Sequence, residues 1–322
     1  MKRMIRLFIC VPPLLSAALL PAGAHAKWPD KPVRVVVPFP AGGSTDIVAR
    51  LVTPRLSEEY GQQFVVDNRG GAGGTIGAEI AARAAPDGYT IAIVPSSYAT
   101  SAALYKFSFD PAKGIAPISM IGRGAFILGV HPSVKAGSLK ELVAWFRAKP
   151  GAINFGSPGT GSTPHLAAEL LRQMSNTSFV HVPYKGDTPA LADLLGGQIQ
   201  ALFASGPVFL PQIKAGKIRA LAVSTEKRAE VLPDLPSISE MFPGYSASGW
   251  NGMWAPAGTP RDIVARLNRS IADFLKRPEV QERLRADSRE PIHTTSDEFA
   301  RIIATEIATW TKVVKTGNIK IN

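Results

Sequence analysis

Short apolar runs alternate with amphipathic stretches along most of the chain. The apolar runs predict strands at 33–37, 64–66, 90–94, 126–130, 153–155, 179–182, 200–203 and 219–223. The amphipathic stretches predict helices at 47–56, 76–85, 138–147, 164–174, 188–195 and 207–215. Nearly continuous apolar strands separated by helices are typical of a mostly parallel α/β sheet that helices cover on both faces.

The last part of the chain has a different pattern. Apolar side chains recur every three or four residues over 260–276 and 296–317, which predicts two long helices. We find no further convincing strand pair in this tail. Helices alone must pack onto an existing sheet, so we assign the tail to the first part of the molecule.

The length of the chain favours two domains, because a domain holds about 150 residues on average and the chain has 322. Two glycine-containing segments, 122–124 and 249–252, are candidate boundaries. We therefore predict lobe 1 from residues 27–124 and 250–322, and lobe 2 from residues 125–249. The chain would cross between the lobes twice, and these two crossovers would form a hinge.

Residues 1–26 have the features of a secretory signal peptide. Basic residues at the start precede a mostly apolar run, and Ala24-His25-Ala26 matches the small-residue cleavage pattern. The apolar run is too short, and too interrupted at Pro12 and Pro13, to span a hydrocarbon core of about 30 Å. An uncleaved anchor is therefore the less favoured alternative. We predict export to the periplasm with cleavage after Ala26, which also removes Cys10, the only cysteine.

The chain is basic, with a formal net charge of +11 that falls by three when the signal peptide is removed. A basic surface can attract nucleic acid, an anionic membrane or an anionic ligand. The basic residues are scattered rather than clustered, so a solvated basic face is the simplest interpretation. Export argues against nucleic acid, and a positive field would help to collect small anions.

The segment 38–46, Pro-Phe-Pro-Ala-Gly-Gly-Ser-Thr-Asp, follows the first predicted strand and precedes the first predicted helix. Ligands of open parallel sheets bind at this end of the strands. Gly42 and Gly43 let a ligand approach the backbone, and the three residues that follow are all of N-cap type. Free N–H groups and the helix dipole would then bind a carboxylate. The alternative is an ordinary tight turn.

A second loop, 156–165, repeats this design before another amphipathic helix. Ser162 or Thr163 can cap the helix, and Pro164 suits its first turn. The loop is not a P-loop, because no Gly-Lys-Ser/Thr follows. Two such loops on opposite lobes, facing one cleft, would hold a small anion from both sides.

Other kinds of chemistry have weaker support in the sequence. The glycine-rich segment 70–77 lacks the spacing of a dinucleotide-binding turn, and we interpret it as a packing turn at the rim of the cleft. Neither a metal-binding histidine motif nor a G-x-S-x-G nucleophile motif occurs. Ser162 and His165 share one turn, which favours capping over a base–nucleophile pair. We therefore predict neither an enzyme nor a cofactor or metal.

A series of short motifs runs through the chain from residue 28 to residue 260. They are 28–34, 37–43 with Asp46 and 49–50, 71–74, 86–90, 109–111, 159–162 with 165–166, 181–186, 232–234, and Trp250 with 255–260. In this order they resemble the Bug family, the solute-binding proteins of tripartite tricarboxylate transporters. The resemblance covers the whole chain after the signal peptide.

The resemblance implies a Venus flytrap, a periplasmic binding protein of two α/β lobes that close on a small carboxylate. It also implies transient contact with the integral-membrane subunits of a transporter. Together with the loop chemistry, it gives a predicted ligand site. The site comprises Pro40, Ala41, Gly42, Gly43, Ser44, Thr45, Asp46, Ser96, Ser97, Ser157, Gly159, Thr160, Gly161, Ser162, Thr163, His165, Tyr184, Lys185, Ala204 and Ser205.

One departure from the family pattern bears on the ligand. The family often has an acidic residue directly after the position of Phe203, where this chain has Ala204 and Ser205. A carboxylate there would suit the ammonium group of a ligand, so its absence favours a plain or aromatic carboxylic acid over an amino acid as the ligand.

We expect a monomeric solute-binding protein. The alternatives are a periplasmic sensor that feeds a signalling receptor and, with less support, an enzyme acting on carboxylates.

Overall fold

The computed structural model describes residues 28–321, so the predicted signal peptide lies outside the described residues. The strands are β1 (Val33–Val37), β2 (Phe64–Asn68), β3 (Thr90–Pro95), β4 (Ile115–Val130), β5 (Asn154–Ser157), β6 (Val180–Pro183), β7 (Ala201–Ser205), β8 (Arg219–Val223), β9 (Ser248–Pro256) and β10 (Arg289–Pro291). The helices are α1 (Ser44–Tyr60), α2 (Thr75–Ala82), α3 (Ser97–Leu104), α4 (Leu139–Ala148), α5 (Thr163–Ser175), α6 (Asp187–Leu195), α7 (Gly206–Lys214), α8 (Arg261–Leu275), α9 (Pro278–Ala286) and α10 (Ser296–Thr316).

The strands form one continuous sheet in the order β2-β1-β3-β9-β4-β7-β5-β6, with β8 and β10 also paired to β4. β1 pairs in parallel with β2 and β3, and β5 pairs in parallel with β6 and β7. We call the part around β1–β3 the first half and the part around β5–β8 the second half. These two parallel groups confirm the predicted two-lobed α/β fold.

The two halves are joined by an antiparallel ribbon of β4 and β9, which we call the crossing ribbon. β4 has 16 residues and, at about 3.3 Å per residue, extends roughly 50 Å. Its first part pairs with β9, and its last part pairs with β7 and β8 of the second half. The candidate boundaries 122–124 and 249–252 lie inside these strands and pair with each other.

The prediction that the tail adds only helices is wrong. β9 begins at Ser248 and lies at the centre of the sheet, and the short β10 pairs with residues 122–124 of β4. Neither strand was predicted from the sequence, because glycine-rich or very short segments lack the β-branched alternation that is typical of a strand.

Each half has apolar cores on both faces of its sheet. In the first half, Ile93 packs with Leu267 of α8 on one face, and Val94 packs with Phe299 of α10 on the other. In the second half, Phe203 and Leu202 point into two separate cores. This double cover explains why the strands are apolar at nearly every position.

Helix α10 contacts both halves. Its start is fixed by a capping box between Thr295 and Glu298. Phe299 and Ile303 pack in the first half, whereas Trp310, two turns further on, packs in the core of the second half. The tail therefore bridges the two cores instead of lying on one.

Within residues 28–321, no helix is both long enough and apolar enough to cross a bilayer.

Candidate functional site

The first glycine-rich loop leads directly into α1, whose N-cap is Gly43. The carboxylate of Asp46 turns back into the loop. It accepts hydrogen bonds from the Gly42 N–H at 2.9 Å and from Asn68 Nδ2 at 3.0 Å, and it pairs with Arg50 at 2.8 Å. Burial opposes its ionisation, but the hydrogen bonds from Arg50, Gly42 and Asn68 outweigh this and hold the pKa of Asp46 below its usual value. Asp46 therefore shapes the loop.

The second loop is held by two stacked imidazoles beneath it. The rings of His165 and His181 lie 3.9 Å apart. His165 Nδ1 accepts from the Gly161 N–H at 3.1 Å, and the His165 N–H donates to Ser162 Oγ, the N-cap of α5. The predicted capping role of Ser162 and His165 is therefore confirmed.

Ser157 and His181 form a serine–histidine pair that the sequence analysis missed. Ser157 Oγ lies 2.7 Å from His181 Nε2 and accepts from the Gly159 N–H at 3.2 Å. Burial lowers the pKa of His181 to about 4, and burial with the neighbouring His181 lowers that of His165 to about 3. Both imidazoles are neutral at pH 7, so Ser157 and His181 share a hydrogen bond between uncharged groups. The hydroxyl is fully buried, which gives it a loop-shaping role rather than that of a nucleophile.

The histidine pair predicts a loss of stability in acid. The unfolded chain takes up a proton near pH 6.5, whereas folded His181 resists until about pH 4, so stability falls as the pH drops between these values. We expect His181→Gln to remove roughly 1–2 kcal/mol of this fall, after a discount for partial exposure. Urea unfolding across this pH range measures it. His293→Gln, at an exposed position, is the control, and equal acid sensitivity in both variants would contradict the assignment.

The start of α5 meets the start of α3 across the two halves. Ser96 Oγ lies 2.8 Å from Thr163 Oγ1, and the Thr163 N–H donates to Ser97 Oγ at 3.1 Å. Thr100 Oγ1 also donates to the Gly161 carbonyl at 2.7 Å. We call Ser96, Ser97, Thr100 and Thr163 the hydroxyl clasp. All four are buried, so the two halves are closed on each other here.

The start of α1 is engaged from the opposite half in the same way. Asp187, the first residue of α6, interacts through its carboxylate with the Ser44 N–H. Burial raises the pKa of Asp187, while Ser44 and the charge of Arg289 act in the opposite sense. A carboxylate of the protein itself thus occupies the anion-binding position at this helix start. Asp187 was not among the predicted site residues, because it stands outside every motif of the sequence.

The two loops line a common groove of about 230 Å³, which we call the outer groove. The first half contributes Phe39, Pro40, Gly71–Gly74 and Tyr105, and the second half contributes Pro158–Thr160 and Pro183–Gly186. A Cβ on Gly73 would lie 2.5 Å from the Thr160 carbonyl oxygen. Segment 70–77 is therefore a close-packed turn at the cleft rim, as predicted.

Deeper in the cleft is a smaller space of about 30 Å³, which we call the inner cavity. It is lined by Ser44, Pro95, Ser96, Gly124–Phe126, Ser205, Gly206, Gly249–Asn251 and Asp287–Arg289. These residues come from both halves and from the crossing ribbon. The space suffices for about one water molecule, so a larger ligand can enter only when the halves separate.

Arg289 is the main feature of the inner cavity that sequence reasoning missed. Its side chain is 6% exposed, and its guanidinium donates to the side chains of Asn251 and Ser44. Burial lowers the pKa of Arg289 to about 10, although Asp287 and Asp187 oppose this shift. The residue lies in a tail segment without any binding motif, so the sequence carried no signal for it.

The predicted site residues separate by accessibility. The outer groove is lined by Pro40, Gly159, Thr160, Tyr184 and Lys185, and the inner cavity by Ser44, Ser96 and Ser205. Ala41 and Gly42 are exposed at the loop tip. The remaining residues are buried and shape the loops, namely Gly43, Thr45, Asp46, Ser97, Ser157, Gly161, Ser162, Thr163, His165 and Ala204. Within residues 28–321, no group of three His, Cys, Asp or Glu side chains could hold a metal ion.

Comparisons with known proteins agree with this geometry. A family profile described as "Tripartite tricarboxylate transporter family receptor" matches residues 48–319. The chain is similar to R. palustris Rpa4515 solved with adipate, at 40% identity and a TM-score of 0.87, covering 91% of this chain and 99% of that one. It is similar to the periplasmic binding protein BugD, at 33% identity and a TM-score of 0.86, covering 91% and 99%. It is also similar to MatC from Rhodopseudomonas palustris with bound malate, at 31% identity and a TM-score of 0.85, covering 89% and 100%.

Proposed function

We propose, from the premise that this chain belongs to the tripartite tricarboxylate transporter receptor family, that it captures a small carboxylate between its two halves. Members of this family are periplasmic solute-binding proteins. The captured acid would be delivered to the integral-membrane subunits of a transporter. The protein would act in the periplasm as a monomer, without turnover of its ligand.

The observation that carries the proposal is that a backbone N–H at each of the two helix starts interacts with a side chain from the opposite half. The Ser44 N–H of α1 interacts with Asp187 from the second half, and the Thr163 N–H of α5 donates to Ser97 from the first half. Each partner leaves when the halves separate, and each N–H then becomes available to a ligand. Main-chain N–H groups at a helix start favour anions, because the helix dipole adds to the hydrogen bond.

Ligand binding would be coupled to opening and closure of the two halves. Residues 27–124 with 250–322 and residues 125–249 would move as two lobes about the crossing ribbon, a motion of the hinge type. Because Trp310 of α10 packs in the core of the second half, the end of this helix would have to shift against that core as the halves separate. A carboxylate would bind the exposed helix starts in the open form and be buried as the lobes close. The adipate and malate bound by the two related proteins are small acids of this class.

The test is a ligand screen on the secreted form, residues 27–322, by thermal shift and isothermal titration. A carboxylate present at about a hundredfold over its Kd is expected to add about 2.7 kcal/mol to the free energy of unfolding. Succinate, adipate, malate, benzoate and glutamate sample the plain, aromatic and amino-acid classes, and glutamate is expected to be the weakest. Binding of no carboxylate would contradict the proposal, and chemical conversion of a bound acid would favour an enzyme.

A further inference from the structure

Glu306 is a largely buried carboxylate that takes no part in the site described above. It lies on α10 one turn before Trp310, at the point where this helix passes from the first half to the second. The residue as a whole is half-buried, but its carboxylate oxygen Oε2 has no contact with solvent. Burial raises the pKa of Glu306 to about 7, although Trp250 and the charge of Arg123 oppose this shift. The ionised carboxylate is therefore unfavourable in the closed form.

Arg123 and Trp250 place this carboxylate at the hinge. They are opposite each other in the crossing ribbon, Arg123 on β4 and Trp250 on β9. Arg123 Nε, Trp250 Nε1 and Glu306 Oε2 are all buried, and none of them has a hydrogen-bond partner among residues 28–321. Buried polar atoms are nearly always hydrogen-bonded, so three neighbouring exceptions indicate a network that is incomplete in the closed form.

Trp250 connects this network to the ligand site. It lines the inner cavity, and its indole ring packs edge-on against the ring of Phe299 of α10, with 5.3 Å between the ring centroids. Only 1% of Trp250 is exposed, so the indole cannot change position unless α10 or the ribbon moves. A change in the charge of Glu306 therefore acts on the cavity through Trp250.

We propose that Glu306 is a positioning residue of the hinge, at which closure of the two halves takes up one proton from solvent. This inference rests on the proposed function only in that the ligand selects the closed form. Separation of the halves shifts the end of α10 against the core of the second half, so that water reaches the carboxylate and the proton is released. A carboxyl group with the higher pKa in the closed form binds a proton on closure, so the closed form gains stability as the pH falls through about 7.

Few other charged groups face Glu306 from the elements packed against α10. Helix α3 has none, and its Tyr98 hydroxyl donates to a backbone carbonyl. On β4 the only charged residue is Arg123, and its partner in register on β10, Glu290, is exposed. Within α10 the positions three and four residues away are uncharged, namely Ile302, Ile303, Thr309 and Trp310.

Helix α5 also packs against α10, and its titratable groups are already engaged. Glu169 and Arg172 pair with each other at 2.7 Å and carry no net charge. His165 is neutral at pH 7, because burial lowers its pKa to about 3. The charges of Glu306 and Arg123 therefore decide protonation at the hinge.

The test follows ligand affinity against pH. Adipate is titrated into the secreted form, residues 27–322, between pH 6 and pH 8, where the acid is largely ionised. With a pKa of about 7 for Glu306 in the closed form and an ordinary value in the open form, we expect the wild type to bind about tenfold more tightly at pH 6 than at pH 8. Glu306→Gln should lose this slope and bind at pH 8 at least as tightly as the wild type does at pH 6. The control is Glu290→Gln, an exposed neighbour of Arg123, which should keep the wild-type slope.

A second measurement uses no ligand. We expect small-angle X-ray scattering to show that the ligand-free wild type becomes more compact from pH 8 to pH 6, whereas Glu306→Gln is equally compact at both. An equal affinity slope in the wild type and Glu306→Gln, or no slope in the wild type, would overturn the proton linkage and leave carboxylate binding standing. If adipate does not bind, the tightest acid of the screen replaces it. Failure of every acid to bind would contradict the proposed function instead, and scattering alone would then decide the linkage.

If Glu306→Gln does not fold, Arg123→Gln decides. Arg123 favours the ionised carboxylate, so loss of its charge is expected to raise the pH at which affinity increases. A structural role of Arg123 alone would lower affinity equally at every pH. An unchanged midpoint of the pH profile would overturn the proposal.

Discussion

Gly73→Ala is expected to weaken ligand binding about a hundredfold while the protein remains folded, because the closed form loses roughly 2–3 kcal/mol. A Cβ at this position would lie 2.5 Å from the backbone oxygen of Thr160 and 2.8 Å from Ser101 Oγ. Thr160 belongs to the second half, and its carbonyl cannot rotate away as a side chain could. The added methyl group therefore holds the halves apart. Isothermal titration with the acid identified by the screen measures the loss.

Gly61→Ala is the matched control. Gly61 has φ +69°, close to the +63° of Gly73, so both variants carry the same backbone strain of about 1 kcal/mol. A Cβ on Gly61 would meet no atom within 4 Å. Both variants should therefore lose similar thermal stability, but only Gly73→Ala should lose affinity. Equal affinities in the two variants would show that closure does not require this contact.

Asp46→Ala is expected to lower the free energy of unfolding by about 3 kcal/mol and to abolish measurable carboxylate binding. The substitution removes the acceptor of the Gly42 N–H and of Asn68 Nδ2, and it frees Arg50. The loop before α1 then loses the bonds that define its path. Urea unfolding and ligand titration of the same preparation measure both effects.

The control for this change is Asp273→Ala. Asp273 also pairs with a basic residue of its own helical surface, Lys276 at 2.9 Å, but both side chains are largely exposed. Exposed pairs contribute little, so stability and binding should stay within about 0.5 kcal/mol of the wild type. A similar loss in both variants would mean that the Asp46–Arg50 ion pair, and not the loop contacts, is what matters.

The sequence predicted those parts of the fold that have a regular pattern. The parallel strands are apolar because they are buried on both faces, and α8 and α10 repeat their apolar residues with helical spacing, so their limits were found within one or two residues. Both glycine-rich loops were found because turn residues and cap residues occur together at helix starts.

Helix α3 was missed for a physical reason. It lies between the two halves and is buried on several sides, with Tyr98 to Ser101 all less than 5% exposed. A helix buried all round has no polar face and therefore no amphipathic period. Its small residues allow the hydroxyl clasp to form, but small residues alone do not predict such a contact between the two halves.

The charged groups of the site could not be predicted either. Arg289 and Asp187 are far apart in sequence and meet the start of α1 only through tertiary packing. Neither stands in a motif. Isolated charges of this kind become informative only when their burial is known.

The glycines of the crossing ribbon allow aromatic side chains to pack directly against the backbone, and this close packing, not backbone flexibility, explains their presence. A Cβ on Gly252 would collide with the ring of Phe299, and one on Gly249 would lie 2.8 Å from the ring of Phe126. Two aromatic rings thus rest directly on the backbone that must bend. Phe299 lies outside the cleft, so we expect a smaller residue at 299 to change the opening angle of the two halves without altering any residue that lines the inner cavity or the outer groove.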